Sequence, residues 1–359
     1  MTTLPTLRRA IHAQLASPHI SVREAAVNLV GMYTSSTNQY DTYLEPLIRT
    51  LSDDGVSVRR RVVKILSGGI PLLSGKQRAV VSHHLLKCAA NPKEEESLQD
   101  LIYDVFVQLW FEVPKCKDSV KKSERHYANV SEQMVNIVCY GQINHFVLSN
   151  IGGSDNLTTQ YIANIVKERS TGYGHHGDDN NEIEQRYKRL AKMEKHCKRI
   201  VEALLEHLLS FEEKKEFQND DLKENMSLEH IILTIDTISR GNPKLVDMNA
   251  LQILLPYLKP DTDKNIKTSR HSSTLVALLT LNIIIRTLPF LSSSDAASVS
   301  ASTLGDIVKL CYAGIGEQIV CKATEALCCF ERYTNDKNVR VKILKAAGKF
   351  AMLNFIKDT

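Results

Sequence analysis

A chain of 359 residues, 43% hydrophobic and 24% charged, carries enough apolar content to bury a continuous core, which excludes disorder as its default state. Its formal net charge of +4 is too mild to argue for nucleic-acid binding from the total, so that argument has to come from local clustering. Aromatic residues make up only 6%, Trp110 is the single tryptophan, and aliphatic side chains dominate, a balance that suits helix packing better than a β-sandwich.

In chain order, the first informative run is "SVREAAVNLVG" from Ser21, which returns as "SVRRRVVKILS" from Ser57 at an offset of 36 residues. In both copies a Ser stands ahead of a helix with apolar positions at helical spacing: Val22, Ala26, Leu29 and Val30, then Val58, Val62, Ile65 and Leu66. Between them Tyr43 to Leu51 forms a further amphipathic helix, closed by the turn "SDDG", in which Gly55 is expected to use its freedom for positive φ. Helix, turn, helix with one apolar face each cannot close a core alone, and a period of this size means stacking on neighbours. The predicted class is therefore all-α: a HEAT-repeat superhelix, or α-solenoid, of stacked antiparallel helix pairs.

Further helices are expected at Lys76 to Ala89, Leu98 to Phe111, Val130 to Ser149, Thr158 to Glu168, Glu182 to Ser210, Leu228 to Ser239, Met248 to Leu258, Ser272 to Leu288, Ala301 to Gly314, Glu317 to Thr334 and Val339 to Lys357. Breaks are expected at "NPKEEE", "VPKCKD", "FQNDD", "KPDTDKN" and "SSSDAAS", and the strongest loop signal is the Gly/His/Asp/Asn-rich segment Thr171 to Asn181. The organisation predicted is HEAT repeats over 1–170, a flexible loop over 171–181, and further HEAT-like repeats over 182–359. The last helix ends without a clear polar cap, so the sequence reads as cut from something longer.

Catalytic and cofactor motifs are missing. There is no Walker sequence, GxGxxG turn, GxSxG elbow or HExxH helix, and the Gly152-Gly153 pair lacks the Lys and Ser/Thr of a phosphate cradle. His83-His84, His175-His176 and Cys328-Cys329 are adjacent pairs whose members point about 100° apart on a helix, so none chelates an ion unaided. The eight cysteines, mostly inside apolar stretches and with no secretory signal ahead of them, read as reduced intracellular thiols. The longest apolar stretch, Leu275 to Ile285, is about half a bilayer span and contains Thr280 and Asn282. The chain is expected to be no enzyme, with no cofactor, no metal and no membrane span.

Two basic clusters remain. The first is Arg59, Arg60, Arg61 and Lys64, with Arg23 at the position equivalent to Arg59. Arg23 and Arg59 read as a structural ladder with Asp53 and Asp54. Arg60, Arg61 and Lys64 lie off the apolar stripe and form a ridge that either meets phosphates or an acidic partner or is a plain solvated face. The second cluster lies between Arg186 and Arg199: Lys188, Arg189, Lys192, Lys195, Lys198 and Arg199 against Glu194 alone. Because Leu190, Met193, Cys197, Ile200 and Leu204 recur at helical spacing, this helix buries one side and offers the bases to DNA, an acidic protein or solvent.

"SVREAAVNLVG", "YLEPLIRTLSDDGVSVRRRVVKILS" and "LQDLIYDVFVQLWF" resemble, in order and spacing, the C-terminal HEAT region of the Nipped-B family, the large subunit of the cohesin loader. "RYKRLAKMEKHCKRIVEALLEHLLSFEE", "LQILLPYLK" and "DIVKLCYAGIGEQIVCKATEALCCFERYT" continue the resemblance more weakly. It implies a nuclear, chromatin-associated HEAT scaffold that engages the cohesin SMC–kleisin complex and DNA and stimulates cohesin's own ATPase. In that family a small TPR-like subunit is held by an N-terminal region that has no counterpart here, and the 171–181 segment departs from the family pattern. A transport or trafficking adaptor with no DNA role is the alternative that repeat physics alone leaves open.

Overall fold

The computed structural model describes residues 4–111, 119–146, 157–171, 180–214, 227–259, 267–312 and 317–334, with isolated positions from 337 to 348. All regular structure among them is helical, and the chain divides into two compact units, Met1–Tyr161 and Ile162–Thr359.

In the first unit the helices are α1 (Leu4–Leu15), α2 (Ile20–Thr37), α3 (Leu44–Thr50), α4 (Val56–Gly69), α5 (Gly75–Ala89), α6 (Glu96–Phe111) and α7 (Ser119–Phe146). The echo in the sequence is an echo in packing. Ala26, Val27 and Val30 are buried on α2, and the residues one repeat later, Val62, Val63 and Leu66, are buried on α4. Leu29 is the exception, 46% exposed rather than part of the stripe. Its equivalent, Ile65, is partly covered because α2 approaches α4 at Gly31, where a Cβ would stand 2.8 Å from the Ile65 Cδ1.

Two local expectations are corrected. Ser21 and Ser57 lie inside the first turns, after the cap residues His19 and Gly55, neither of which makes a side-chain cap bond. Gly55 does not use positive φ either; its φ is −79°, and its amide donates to Asp53 Oδ1 at 2.8 Å. The left-handed position is Asn38, φ 56°, where α2 ends and the amide donates to the Thr34 carbonyl. A reciprocal capping box does start α5, between Ser74 and Gln77. On α6, Leu98, Ile102, Phe106 and Trp110 recur at four-residue spacing and are all fully buried, with the Phe106 and Trp110 rings 4.8 Å apart.

The second unit contains most of α8 (Leu157–Thr171), then α9 (Asn180–Lys214), α10 (Leu228–Gly241), α11 (Met248–Leu254), α12 (Lys267–Thr287), α13 (Ser293–Tyr312) and α14 (Glu317–Glu331). Its centre is α10, buried at every position from Ile231 to Ser239, with α12 packed on both α10 and α14. The closest approach is at Gly241, where a Cβ would lie 2.4 Å from the Ala163 carbonyl oxygen. Beside it the Asn242 side-chain amide donates to Ser170 Oγ at 2.9 Å.

The expected break "SSSDAAS" is instead the start of α13. Ser292 Oγ accepts the Asp295 amide at 3.1 Å and donates to Asp295 Oδ2 at 2.7 Å, so a polar cluster that reads as a loop works as a helix cap. The helix α7 begins at Ser119 rather than Val130, and α1 was not anticipated. The segment Thr171 to Asn181 and the helix expected over Val339 to Lys357 fall almost wholly outside the described residues.

Candidate functional site

The arginine ladder has a consistent grammar. Arg23 on α2 donates backward to the carbonyls of Ser17 (2.8 Å) and Pro18 (3.2 Å) in the turn before its own helix. It donates forward to both carboxylate oxygens of Asp53, at 2.6 and 2.8 Å. One repeat later Arg59 donates backward to the Asp53 carbonyl (2.5 Å) and the Asp54 carbonyl (3.3 Å), and forward to Glu94 Oε1 (2.5 Å). Asp53 therefore serves two rungs, through its carboxylate and its carbonyl. Asp54 contributes its backbone oxygen, and the second carboxylate is Glu94, which lies inside the "NPKEEE" segment that the sequence predicts as a break between helices.

Both carboxylates sit deep, Asp53 with 8% and Glu94 with 6% of the side chain exposed. Burial works to raise their pKa values, but the arginine hydrogen bonds, and the amides of Gly55 and Glu95, hold both below the ordinary range. The Cys88 thiol donates to Glu94 Oε2 at 3.4 Å. Burial, and then the Glu94 charge, push that thiol up to about 12, so it stays protonated and serves as a donor.

The ridge beside the ladder is less free than its charge suggests. Arg61 donates to Glu24 (2.8 Å) and Asn28 (2.6 Å) on α2. Arg60 points the other way, to Glu95 Oε1 at 3.4 Å and to Ser97 Oγ at the start of α6. Lys64, exposed one turn later, has no partner among the described residues.

On α9 the side chains of Lys188 and Arg189 lie outside the described residues. Lys198 pairs with Glu194 at 3.1 Å and Arg199 with Glu202 at 3.4 Å. Lys192 and Lys195 are exposed and unpaired among the described residues, on the face opposite Cys197, Ile200 and Leu204. Glu202 and Glu206 continue the same exposed face, so its positive character is confined to the N-terminal half of the helix.

One ionic centre escaped the sequence reading. Asp236, fully buried in α10, accepts from Arg240 at 3.2 Å and from Arg286 on α12 at 2.6 Å. Arg286 also reaches the Asp236 carbonyl (3.3 Å) and Ser239 Oγ (3.1 Å). An acid inside the apolar run "IILTIDTIS" with Arg four residues on is a signal of a paired buried charge.

Among the described residues no group of His, Cys, Asp and Glu is placed to hold a metal ion, and no helix is long and apolar enough to cross a membrane. His83 and His84 pack around Tyr140, the His83 ring 5.2 Å from it, and burial, then the neighbouring His84, push His83 down to about 4.

No protein-family model matches the chain. Against curated proteins it is 24% identical over 298 residues to a Nipped-B-like protein of Caenorhabditis elegans, covering 81% of this chain and 12% of the relative. It is 28% identical over 254 residues to Nipped-B-like protein B of Danio rerio (70% of this chain, 8% of the relative), and 24% over 301 residues to the Nipped-B protein of Drosophila melanogaster (82% and 13%). The chain thus spans only a small part of the length of these proteins. Among solved structures, the C-terminal fragment of the Chaetomium thermophilum cohesin loader SCC2 matches at 13% identity and a TM-score of 0.29, over 97% of this chain and 38% of that one. The crystal structure of a Kap121p mutant matches at 12% and 0.34, over 98% and 36%; at such scores neither carries an argument. The sequence similarities, spread over most of the chain and shared with worm, fish and fly proteins, make it a relative of the Nipped-B proteins.

Proposed function

We propose that this chain is a non-catalytic scaffold portion of a cohesin-loading factor, corresponding to the C-terminal HEAT region of the Nipped-B proteins and acting in the nucleus on chromatin. The observation that carries the reading is the similarity to Nipped-B proteins over 70 to 82% of the chain. In this reading the parent protein engages the cohesin SMC–kleisin complex and DNA, stimulates cohesin's own ATPase, and so supports sister chromatid cohesion and loop formation. The small TPR-like loader subunit binds elsewhere on the parent.

For this chain's own part, the unpaired Lys192 and Lys195, with Lys188, Arg189, Lys198 and Arg199 on the same helix, form the principal contact for DNA phosphates. Lys64 is a second contact, and Arg60 and Arg61 contribute only after leaving Glu95 and Glu24. The test is fluorescence anisotropy with a short duplex across a salt series, together with capture of purified SMC–kleisin complex. Binding should weaken steeply with salt, and Lys192→Glu with Lys195→Glu should lower the salt slope by about one unit per lysine. A folded chain that neither binds duplex at low salt nor captures the complex is an adaptor of another kind.

A further inference from the structure

Arg60 and Arg61 are neighbours on α4, but their side chains point about 100° apart and reach opposite helices. Arg61 holds Glu24 and Asn28 of α2, while Arg60 holds Glu95 and Ser97 at the edge of α6. The ladder residue Arg59 is buried with its carboxylate, whereas these two pairs are open to solvent, 45% and 27% for Arg61–Glu24 and 41% and 46% for Arg60–Glu95. Pairs this exposed are held weakly and are screened by salt. Lys64, exposed one turn later and without a partner among the described residues, stands beside them.

We propose that Glu24 and Glu95 are resident ligands of the α4 arginines, displaced by a nucleic-acid phosphate backbone, so that DNA contact at α4 loosens the stitching of α2 and α6 to α4. This rests on the duplex contact proposed above and assigns that contact a structural consequence. Lys64 meets the backbone first; Arg60 and Arg61 then exchange a carboxylate for a phosphodiester.

The resident acids also select the partner. An acidic peptide only replaces one carboxylate with another, and the resident one has the advantage of being tethered beside its arginine. A duplex brings the release of condensed counterions, a gain that an isolated carboxylate does not provide. Occupied arginines therefore discriminate against weakly charged proteins while remaining available to a polyphosphate.

Glu24→Gln with Glu95→Gln tests this, since Gln keeps a hydrogen-bond acceptor and removes the charge. The control is Glu132→Gln with Asp104→Asn, which removes the same charge from exposed positions off the ridge that hold no arginine among the described residues. Duplex affinity at fixed low salt should rise about fivefold in the first variant relative to the control, as expected from releasing two exposed pairs. Adding Arg60→Gln and Arg61→Gln should cancel that gain, and duplex should speed amide exchange at the facing turns of α2 and α6. Equal gains in both charge-removal variants, or a gain that survives loss of the arginines, overturn the exchange while leaving duplex binding itself intact. Duplex binding absent from every variant removes the DNA reading and the exchange together. Displacement of duplex by poly-glutamate at equal charge would assign the ridge to acidic proteins and also overturn it.

Discussion

Replacing Arg59 with Ala measures what the ladder contributes. The substitution removes donors to the Asp53 and Asp54 carbonyls and leaves Glu94, 6% exposed, with only its neighbouring amide and the Cys88 thiol. Breaking a fully buried pair from one side costs about 3–5 kcal/mol, and the 13% exposure of Arg59 lets water reach the orphaned acid, so about 3 kcal/mol is expected at neutral pH. Urea unfolding followed by Trp110 emission is the assay, because this single tryptophan is fully buried on α6 and reports on the first unit. The cost must also depend on pH. Glu94 is held below its ordinary value in the folded chain, so the pair's stabilisation is present above the unfolded-state value of 4.5 and is lost as pH falls through the depressed folded-state value. The Arg59→Ala variant and the parent should therefore converge in acid. A loss under about 1 kcal/mol, or one that is the same at pH 7 and in acid, contradicts the account of a buried, charge-dependent rung.

Three other outcomes follow from the packing and titration. Gly241→Ala drives a Cβ against the Ala163 carbonyl and should cost about 2 kcal/mol or more, whereas Gly68→Ala, with nothing within 4 Å of the new carbon, should stabilise by about 0.5–1 kcal/mol in thermal melts. His83 stays neutral down to about 4 while its unfolded counterpart protonates near 6.5, so stability should fall between those values as pH drops, by about 2 kcal/mol. His83→Phe should flatten that acid limb. Among the described thiols, alkylation at neutral pH should modify the exposed Cys321 and Cys328 first and leave Cys88 and Cys197, both pushed up to about 12, until the chain unfolds; mass spectrometry of digests reads the order.

The helix pairs were legible because they rest on apolar spacing over many residues, and the 36-residue echo located equivalent buried positions on α2 and α4. Local chemistry was harder. Ser292 to Asp295 reads as a loop because the same residues favour turns and helix caps, and only the chain on either side decides between them. Arg23 with Asp53 was accessible from the repeat pattern, but Glu94 as the acid for Arg59 was not, since a run of four charged residues hides which member turns inward. Positive charge alone overstated the α4 ridge. Two of its arginines already hold acids, Glu24 on α2 and Glu95 just ahead of α6, and no count along one helix registers a partner about 35 residues away. On α9 the exposure of Lys192 and Lys195 follows directly from the apolar stripe opposite them, and neither has a partner among the described residues.

Asp53 accepts from the arginine of one repeat and, through its carbonyl, from the arginine of the next. In the language of one-dimensional cooperativity, such a residue adds to the coupling between neighbours rather than to the intrinsic stability of either. A stack of units with strong coupling melts in long blocks and resists fraying at an internal boundary. Damage at one rung is then felt in adjacent helices, and a substitution in the "SDDG" turn should broaden or split the unfolding transition of the first unit rather than merely shift its midpoint.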